Sequence, residues 1–576
     1  MATLHRVELP FESRSSISIW RPSFLYAQAM TIRLLTQSWR KKLLNAASPT
    51  HRALTELRAQ WSKPRAKGSW LASQYFNLVR DEFAEACVDD KTWADLEFPK
   101  IFSSLDSTVT PLGSQSLFRW LREYIKDPNE LTKRHAVYEE FQSDASLRET
   151  IQLQMVRLKD ESNAHLADLI FGTAPKELSH KNMLWRWSLA SIALLAAVIA
   201  FSWPVWIWLA VLPINGVIIL RTYWHAHRDS EALKGCLQML NVADQLGSLH
   251  KRYPSLPQLA KLADDKAARA EVRRSLIWLS VLNLPLIPYF SMWLNLAFLL
   301  ELMVYVRTRD QFFRLRSQIA PTFELIGQLD AAIAIACYLK HGPVHCQPSL
   351  VDRPLLDIRD GRHPLLANGV SNSICLDQRS ALITGSNMAG KTTFIKMLGI
   401  NVIFGRTMGF CLASEAAIPG SNVMALVHGN HSVESGKSHY FSEIETIHSF
   451  IEKGNRGDCN IFVIDELFNG TNTIERVAAA RAVLELLGRH SLVLVTTHDV
   501  ELQAFLRDHF DLYHFQEDPD VDGFFDYRLR TGAATERNAI RLLGRMGFPV
   551  EVVANATTYA MQDLRSGRNP IESLHQ

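Results

Sequence analysis

Ala381-Leu382-Ile383-Thr384-Gly385-Ser386-Asn387-Met388-Ala389-Gly390-Lys391-Thr392-Thr393 is the stretch on which the fold turns. The residues before Gly385 read as a short buried strand, and GxxxxGK[ST] then runs directly into the helical stretch Phe394 to Leu398. Glycines at both ends of such a loop let backbone amides curl around phosphate oxygens at a helix N-terminus. In this context Gly385, Ser386, Asn387, Met388, Ala389, Gly390, Lys391, Thr392 and Thr393 form the candidate nucleotide cradle. Lys391 would neutralise the β- and γ-phosphates, and Thr392 would ligate Mg²⁺.

Two more strand ends belong with it. Ile461-Phe462-Val463-Ile464-Asp465-Glu466 is an apolar run closing on two acids. At the carboxyl end of a strand beside the cradle, Asp465 would hold the Mg²⁺ water shell and Glu466 would orient or deprotonate the attacking water. Leu492-Val493-Leu494-Val495-Thr496-Thr497 ends at His498-Asp499, where an imidazole could hydrogen-bond a γ-phosphate and report its loss. From Leu350 onward, short β-branched runs alternate with helical patterns, which predicts a parallel α/β sheet.

These residues resemble the MutS family. The Asn387-Met388 pair is the MutS form of the loop. Glu434-Ser435-Gly436-Lys437-Ser438-His439-Tyr440-Phe441-Ser442-Glu443 is similar to the family's signature segment, and Asn469-Gly470-Thr471-Asn472-Thr473 to the tail of its acidic motif. Arg359 to Pro364 resembles the entry to the ATPase domain, and Asn538 to Ala556 its closing, dimerising helices. Upstream, Ser104 to Gly113 resembles a segment of the helical core that opens a helix over Ser114 to Tyr124. The resemblance runs from about Trp93 to the C-terminus and is interrupted between roughly His180 and Thr308. It implies ATP and Mg²⁺ as ligands, a homodimer with composite sites in which Ser438 reaches the partner's nucleotide, and DNA as a partner. The sequence departs from the family at Ser386, Ala389 and Phe468-Asn469, and the stretch before Trp93 is too short for the mismatch-reading and connector domains.

Where that family carries a DNA clamp, this chain has two apolar blocks. Trp187 to Leu220 contains no charge, and Ser275 to Leu300 extends through Glu301 to Val306. Each is too long for one span of about 20 residues and barely long enough for two. Ser202-Trp203-Pro204 and Pro285 to Pro288 break them midway, and basic residues flank every end: Lys181, Arg186, Arg221, Arg228, Arg273, Arg274, Arg307 and Arg309. If all these flanks stay on one side, the blocks make two hairpins, about 187–220 and 275–306, in a multi-pass inner-membrane protein whose ATPase domain faces the cytoplasm.

The expected architecture is therefore an α/β P-loop NTPase domain of the ABC-type, MutS-like kind (350–576). It is joined to an N-terminal basic helical region (1–92), a helical core and first lever (93–180), a membrane region (181–310) and a returning lever helix (311–349). The formal net charge of +3 gives no sign of the broad basic field of a tight general nucleic-acid binder, so any nucleic-acid contact must come from local patches. Seven cysteines without a CxxC pair argue against a zinc site or disulfide framework. The acid-free run from Ser13 to Thr55 reads as a solvated basic helix, with a lipid- or DNA-binding arm as the alternative. The function expected is a membrane-anchored ATPase coupling ATP hydrolysis to conformational change on DNA. The alternatives are an ABC-like transport ATPase, against which stands the lack of an LSGGQ-type signature, and a nucleotide-binding membrane scaffold without DNA activity.

Overall fold

A computed structural model describes residues 49–61, 71–173, 181–282, 288–386, 389–427, 439–454, 460–468, 471–517, 525–533, 543–544 and 546–565. Two compact units separate, Met1–Ala59 and Gln60–Gln576. The basic run 13–55 lies outside the described residues except for the start of the helix Pro49–Gln60.

The helical core is built around helix α1 (Ala72–Val79) and helix α2 (Pro111–Arg122). It therefore begins upstream of the expected boundary at residue 93, because Tyr75, Phe76 and Val79 form an apolar stripe buried in it. Thr110 caps α2 by accepting from Gly113 N at 3.0 Å, with Pro111 fixing the first turn.

The principal helices of the apolar region and its connector follow: α3 (Lys181–Ala200), α4 (Val211–Ser248), α5 (Lys266–Leu282), α6 (Pro288–Phe298) and α7 (Leu300–Leu315). They pack on one another as a bundle. The first apolar block folds as a helical pair turning at Phe201 to Val205, and the second is broken again at Leu299, which has φ +54°. The middle of that second block, 283–287 with Pro285, lies outside the described residues.

α8 (Ala320–His341) then returns beside α2. It is long and apolar enough to cross a membrane, but 83% of it is buried inside the protein, so it is a core helix. Asp330 at its centre is fully buried and accepts from Val109 N (2.9 Å), Thr110 N (2.7 Å) and Thr110 Oγ1 (2.7 Å). This carboxylate ties the returning helix to the start of α2. The two helices meet so closely that a Cβ on Gly113 would lie 2.3 Å from Asp330 Oδ2.

The C-terminal part holds two sheets rather than the single parallel one expected from residue 350. Strands β1 (Ser349–Val351), β2 (Leu355–Gly361) and β3 (Asn372–Asp377), joined later in the chain by β5 (Glu415–Pro419), form a small sheet ordered β1-β5-β2-β3, in which β2 is antiparallel to both neighbours. The reason lies in β3, whose alternate residues are buried and exposed, as suits a sheet with one wet face. The larger sheet is ordered β10-β9-β4-β8-β7-β6, from β4 (Ser380–Thr384), β6 (Asn422–Leu426), β7 (Asn460–Asp465), β8 (Leu492–Thr497), β9 (Phe510–Glu517) and β10 (Phe525–Thr531). All its pairings are parallel except β9 with β10. β4, β7 and β8 are buried at every position, which is why they read as unbroken apolar runs. Helices α9 (Lys391–Thr407), α10 (His439–Gly454) and α11 (Thr473–Leu487) lie against this sheet, and α12 (Val550–Arg565) closes the described chain.

Candidate functional site

Because β4, β7 and β8 are parallel neighbours, their carboxyl ends open on one edge of the sheet, the place where ligands bind in open α/β folds. The turn after β4 needs glycine at both ends. Gly385 has φ +136° and a Cβ there would meet Phe515 O at 2.6 Å, while Gly390 has φ +97° at the start of α9.

Lys391 opens α9 with its side chain folded back into the turn. Its ammonium donates to Gly385 O at 2.7 Å and lies 3.4 Å from His498 Nε2. Only 1% of the residue is exposed. Burial lowers its pKa to about 8, against the opposing pull of Glu466 and Asp465. Thr392 Oγ1 donates to Asp465 Oδ2 at 2.8 Å, and the Thr496 hydroxyl donates to the other carboxylate oxygen. His498 Nε2 is 2.5 Å from Glu466 Oε1. Five of the expected residues, Lys391, Thr392, Asp465, Glu466 and His498, thus gather at one point although they come from three separate segments.

The surrounding backbone is held under constraint. Glu466 and Phe468 adopt φ +56° and +59°, a conformation unfavourable for residues with side chains. The buried Glu443 carboxylate accepts from Phe468 N, and Glu466 N donates to Thr496 O at 3.1 Å. On the other side, Arg476 in α11 grips Asp499 by two hydrogen bonds, 2.9 Å from Nε and 2.5 Å from a terminal nitrogen. That fork fixes the residue after His498 and so the imidazole itself.

Gly385, Ser386, Ala389, Gly390 and Thr393 lie in or beside the turn as expected. Asn387, Met388 and Ser438 lie outside the described residues. The Ser386 hydroxyl is buried with no hydrogen-bond partner among the described residues, an orphaned polar atom at the point where a phosphate would supply one. Among the described residues no cluster of three or more His, Cys, Asp or Glu could hold a metal alone. Asp465 beside Thr392 instead offers the sparse oxygen set that suits Mg²⁺ completed by phosphates and water.

A cavity of about 680 Å³ adjoins the turn, lined among others by His363, Leu366, Phe394, Met397, Phe515 and Tyr527. These residues come from the β2–β3 connection, α9, β9 and β10, and apart from the segments Arg359–Pro364 and Phe394–Leu398, which hold His363, Phe394 and Met397, no sequence motif singled them out. The signal available was their aromatic character near strands, which a core residue shares. Burial lowers the His363 pKa to about 4, so its ring is neutral near pH 7.

The comparisons with known proteins fall on the same half of the chain. Residues 381–564 match the family model described as MutS domain V. Among curated proteins, a DNA mismatch repair protein MutS of Chloroflexus aurantiacus is 30% identical over 286 residues, 46% of this chain and 29% of that protein. The Leuconostoc mesenteroides DNA mismatch repair protein MutS is 28% identical over 273 residues, covering 45% and 32%, and an Endonuclease MutS2 of Levilactobacillus brevis is 29% identical over 262 residues, covering 43% and 32%. The chain thus spans about a third of the length of these curated relatives. Lys391, Asp465, Glu466 and His498 all fall inside residues 381–564, so the part of the chain that carries the site is the part similar to MutS domain V.

Proposed function

We propose that the chain is a Mg²⁺-dependent ATP hydrolase of the P-loop, ABC-type kind, which couples ATP binding and hydrolysis to conformational change on DNA while anchored in a membrane. The observation that carries the catalytic part is the meeting of Lys391, Thr392, Asp465, Glu466 and His498 at one sheet edge. The triphosphate would lie along the turn 385–390, with Lys391 neutralising its β- and γ-phosphates and the base in the cavity beside Phe394 and Tyr527. Thr392 and Asp465 would hold Mg²⁺, which supplies charge neutralisation on the phosphates. Glu466 would take a proton from the attacking water. His498, hydrogen-bonded to Glu466 and near Lys391, would sense whether a γ-phosphate is present.

Glu466 is engaged with His498, and that contact must open before the carboxylate can serve a water. Work on DNA rests on the relatives that are DNA mismatch repair proteins. Pairing with a second copy, through Ser438 and the closing helix α12, rests on the family resemblance. Anchoring at the cytoplasmic face of the inner membrane rests on the apolar helices of the bundle. The return of α8 onto α2 through Asp330 gives a rigid route between the sheet and the bundle.

The experiment is ATP turnover by the purified chain with Mg²⁺, with and without linear, mismatched and branched DNA. Turnover lost in Glu466→Gln and raised by one of the DNAs is the expected result. Turnover that no DNA alters would remove the DNA part, and ATP binding without turnover would leave a nucleotide-binding scaffold.

A further inference from the structure

The hairpin made by α3 and the start of α4 is turned inside out relative to one folded in water. In α3 the inward stripe is Leu184, Ser188, Ser191 and Val198, so two of its buried positions are hydroxyls. Its outward positions include Leu189, Ile192 and Ile199, all well exposed. The returning arm repeats the pattern: Asn215 is completely buried, whereas Trp206, Ile214 and Val217 face outward. Of the window Met183–Ala200 only 22% is buried, the reverse of α8, where length and apolarity are explained by the core.

The buried polar groups have one task. The chain breaks at Leu299, between α6 and α7, so the last carbonyls of α6 lose regular helical partners. Asn215 Nδ2 donates to Leu296 O (2.8 Å) and Ala297 O (3.0 Å), Ser191 Oγ to Ala297 O (2.9 Å), and Ser188 Oγ to Phe298 O (2.6 Å). Trp187 Nε1 in turn donates to Asn215 Oδ1 at 2.7 Å. A helix break sealed by side chains from neighbouring helices, inside a shell of apolar ones, is what a medium without water requires.

We infer that this outward apolar face is occupied by the acyl chains of a lipid bilayer, with α3 crossing it and the arm from Trp206 to Leu220 returning. Past Arg186 the α3 helix runs uncharged for 14 residues to Ala200, about 21 Å at 1.5 Å per residue, and with Arg186 snorkelling to the headgroups it reaches most of the roughly 30 Å hydrocarbon thickness of a bilayer. It contains no acid, and basic residues stand at the open ends of the pair, Lys181 and Arg186 on one arm and Arg221 on the other. Both arms therefore start and finish on the same side, with Phe201 to Val205 as the distal turn. The broken pair α6 and α7 packs against this hairpin and is held to it by Asn215.

One consequence is mechanical. α4 runs on without interruption for 38 residues, from the bilayer through Arg221 into the soluble part. There it meets the helical core, and its Asp244 pairs with Arg269 at 2.8 Å and with Arg273 of α5. The anchor is thus a continuation of a soluble helix rather than a tethered appendage.

This inference deepens the anchored part of the function proposed above and rests on it, while being independent of nucleotide chemistry. The test reconstitutes the full chain with phosphatidylcholine–phosphatidylglycerol vesicles, floats one portion in alkaline carbonate and another at neutral pH with Mg²⁺, and measures ATP binding in the neutral fractions. We expect the chain to float with the lipid, Lys391→Ala to float equally, and brominated lipid to quench its tryptophans, less so after Trp203→Phe and Trp206→Phe. Paired Ile192→Asp and Ile214→Asp changes, at outward positions, should end flotation while ATP binding persists. Extraction by carbonate, flotation undisturbed by these aspartates, or a lipid-free soluble oligomer hiding the face would each overturn the inference. Flotation without ATP binding would instead count against the nucleotide reading alone.

Discussion

The nucleotide edge of the larger sheet and the helix bundle both bury polar side chains, and they do so for opposite ends. At the sheet edge, Lys391, Asp465, Glu466 and His498 come from distant segments and remain poised toward an opening, with a lysine pushed by burial to a pKa near 8 and two residues in left-handed backbone. In the bundle, Asn215, Ser188 and Ser191 are consumed in satisfying neighbouring carbonyls. Groups from distant segments converging on an opening mark a place where something else is to bind; side chains spent on the carbonyls of a broken helix mark a place that must stay sealed.

That contrast can be broken first at the sheet edge, where effects should be largest. Glu466→Gln should lower ATP turnover about 10²–10⁴-fold, the range for removing a general base, while ATP still binds; equal turnover in a phosphate-release assay would remove Glu466 from its role. Lys391→Ala should weaken ATP binding about a hundredfold or more, since it deletes the buried cation facing the phosphates, as equilibrium dialysis would reveal.

Between the two regions stands Asp330. Asp330→Ala leaves Val109 N, Thr110 N and the Thr110 hydroxyl without their buried acceptor, which should cost about 3–5 kcal/mol in denaturant unfolding. A loss under about 1 kcal/mol would mean that the α2–α8 junction is not the rigid link described. Arg476→Gln should be milder, lowering turnover about tenfold through a misplaced His498 loop while leaving ATP affinity nearly unchanged. A matching loss of affinity would show that Arg476 supports the fold of the site rather than the aim of the histidine.

The smallest effect concerns pH. The Lys391 pKa is lowered from 10.5 to about 8 in the folded chain, chiefly by burial, so between those values the unfolded chain binds more protons. This group therefore makes the nucleotide-free protein more stable as pH rises from about 8 to 10.5. ATP, by favouring the charged ammonium, should show the opposite trend, with affinity falling above pH 8 by at most about tenfold per unit. Titration calorimetry across that range, repeated with Lys391→Ala, would sharpen the assignment.

What the sequence discloses follows the same division. The strand ends were legible because fully buried parallel strands are continuous apolar runs, and because Gly385, Asp465, Glu466 and His498 each sit directly at such an end, with Lys391 opening the helix after the first of them. The small mixed sheet was not, since β2 and β3 are partly exposed and carry charged residues that break any apolar run, and pairing with β5 joins residues far apart in the chain. The cavity beside the turn was illegible for a related reason: Phe515 and Tyr527 reach it only because β9 and β10 pair on the outer side of β4. The apolar blocks were visible as composition, yet their inversion depends on which face of each helix Asn215, Ser188 and Ser191 occupy. Composition also flags α8 as a candidate span, and only its burial against α2 excludes it.

The central claim is that three strand ends assemble one Mg·ATP site, and its most direct measurement is equilibrium binding of radiolabelled ATP to the purified chain, with Mg²⁺ and then with EDTA. Saturable binding that requires Mg²⁺, disappears in Lys391→Ala, and in Glu466→Gln persists as unhydrolysed ATP is the predicted result. Absence of saturable binding in the wild-type chain, or binding indifferent to Lys391, would contradict it.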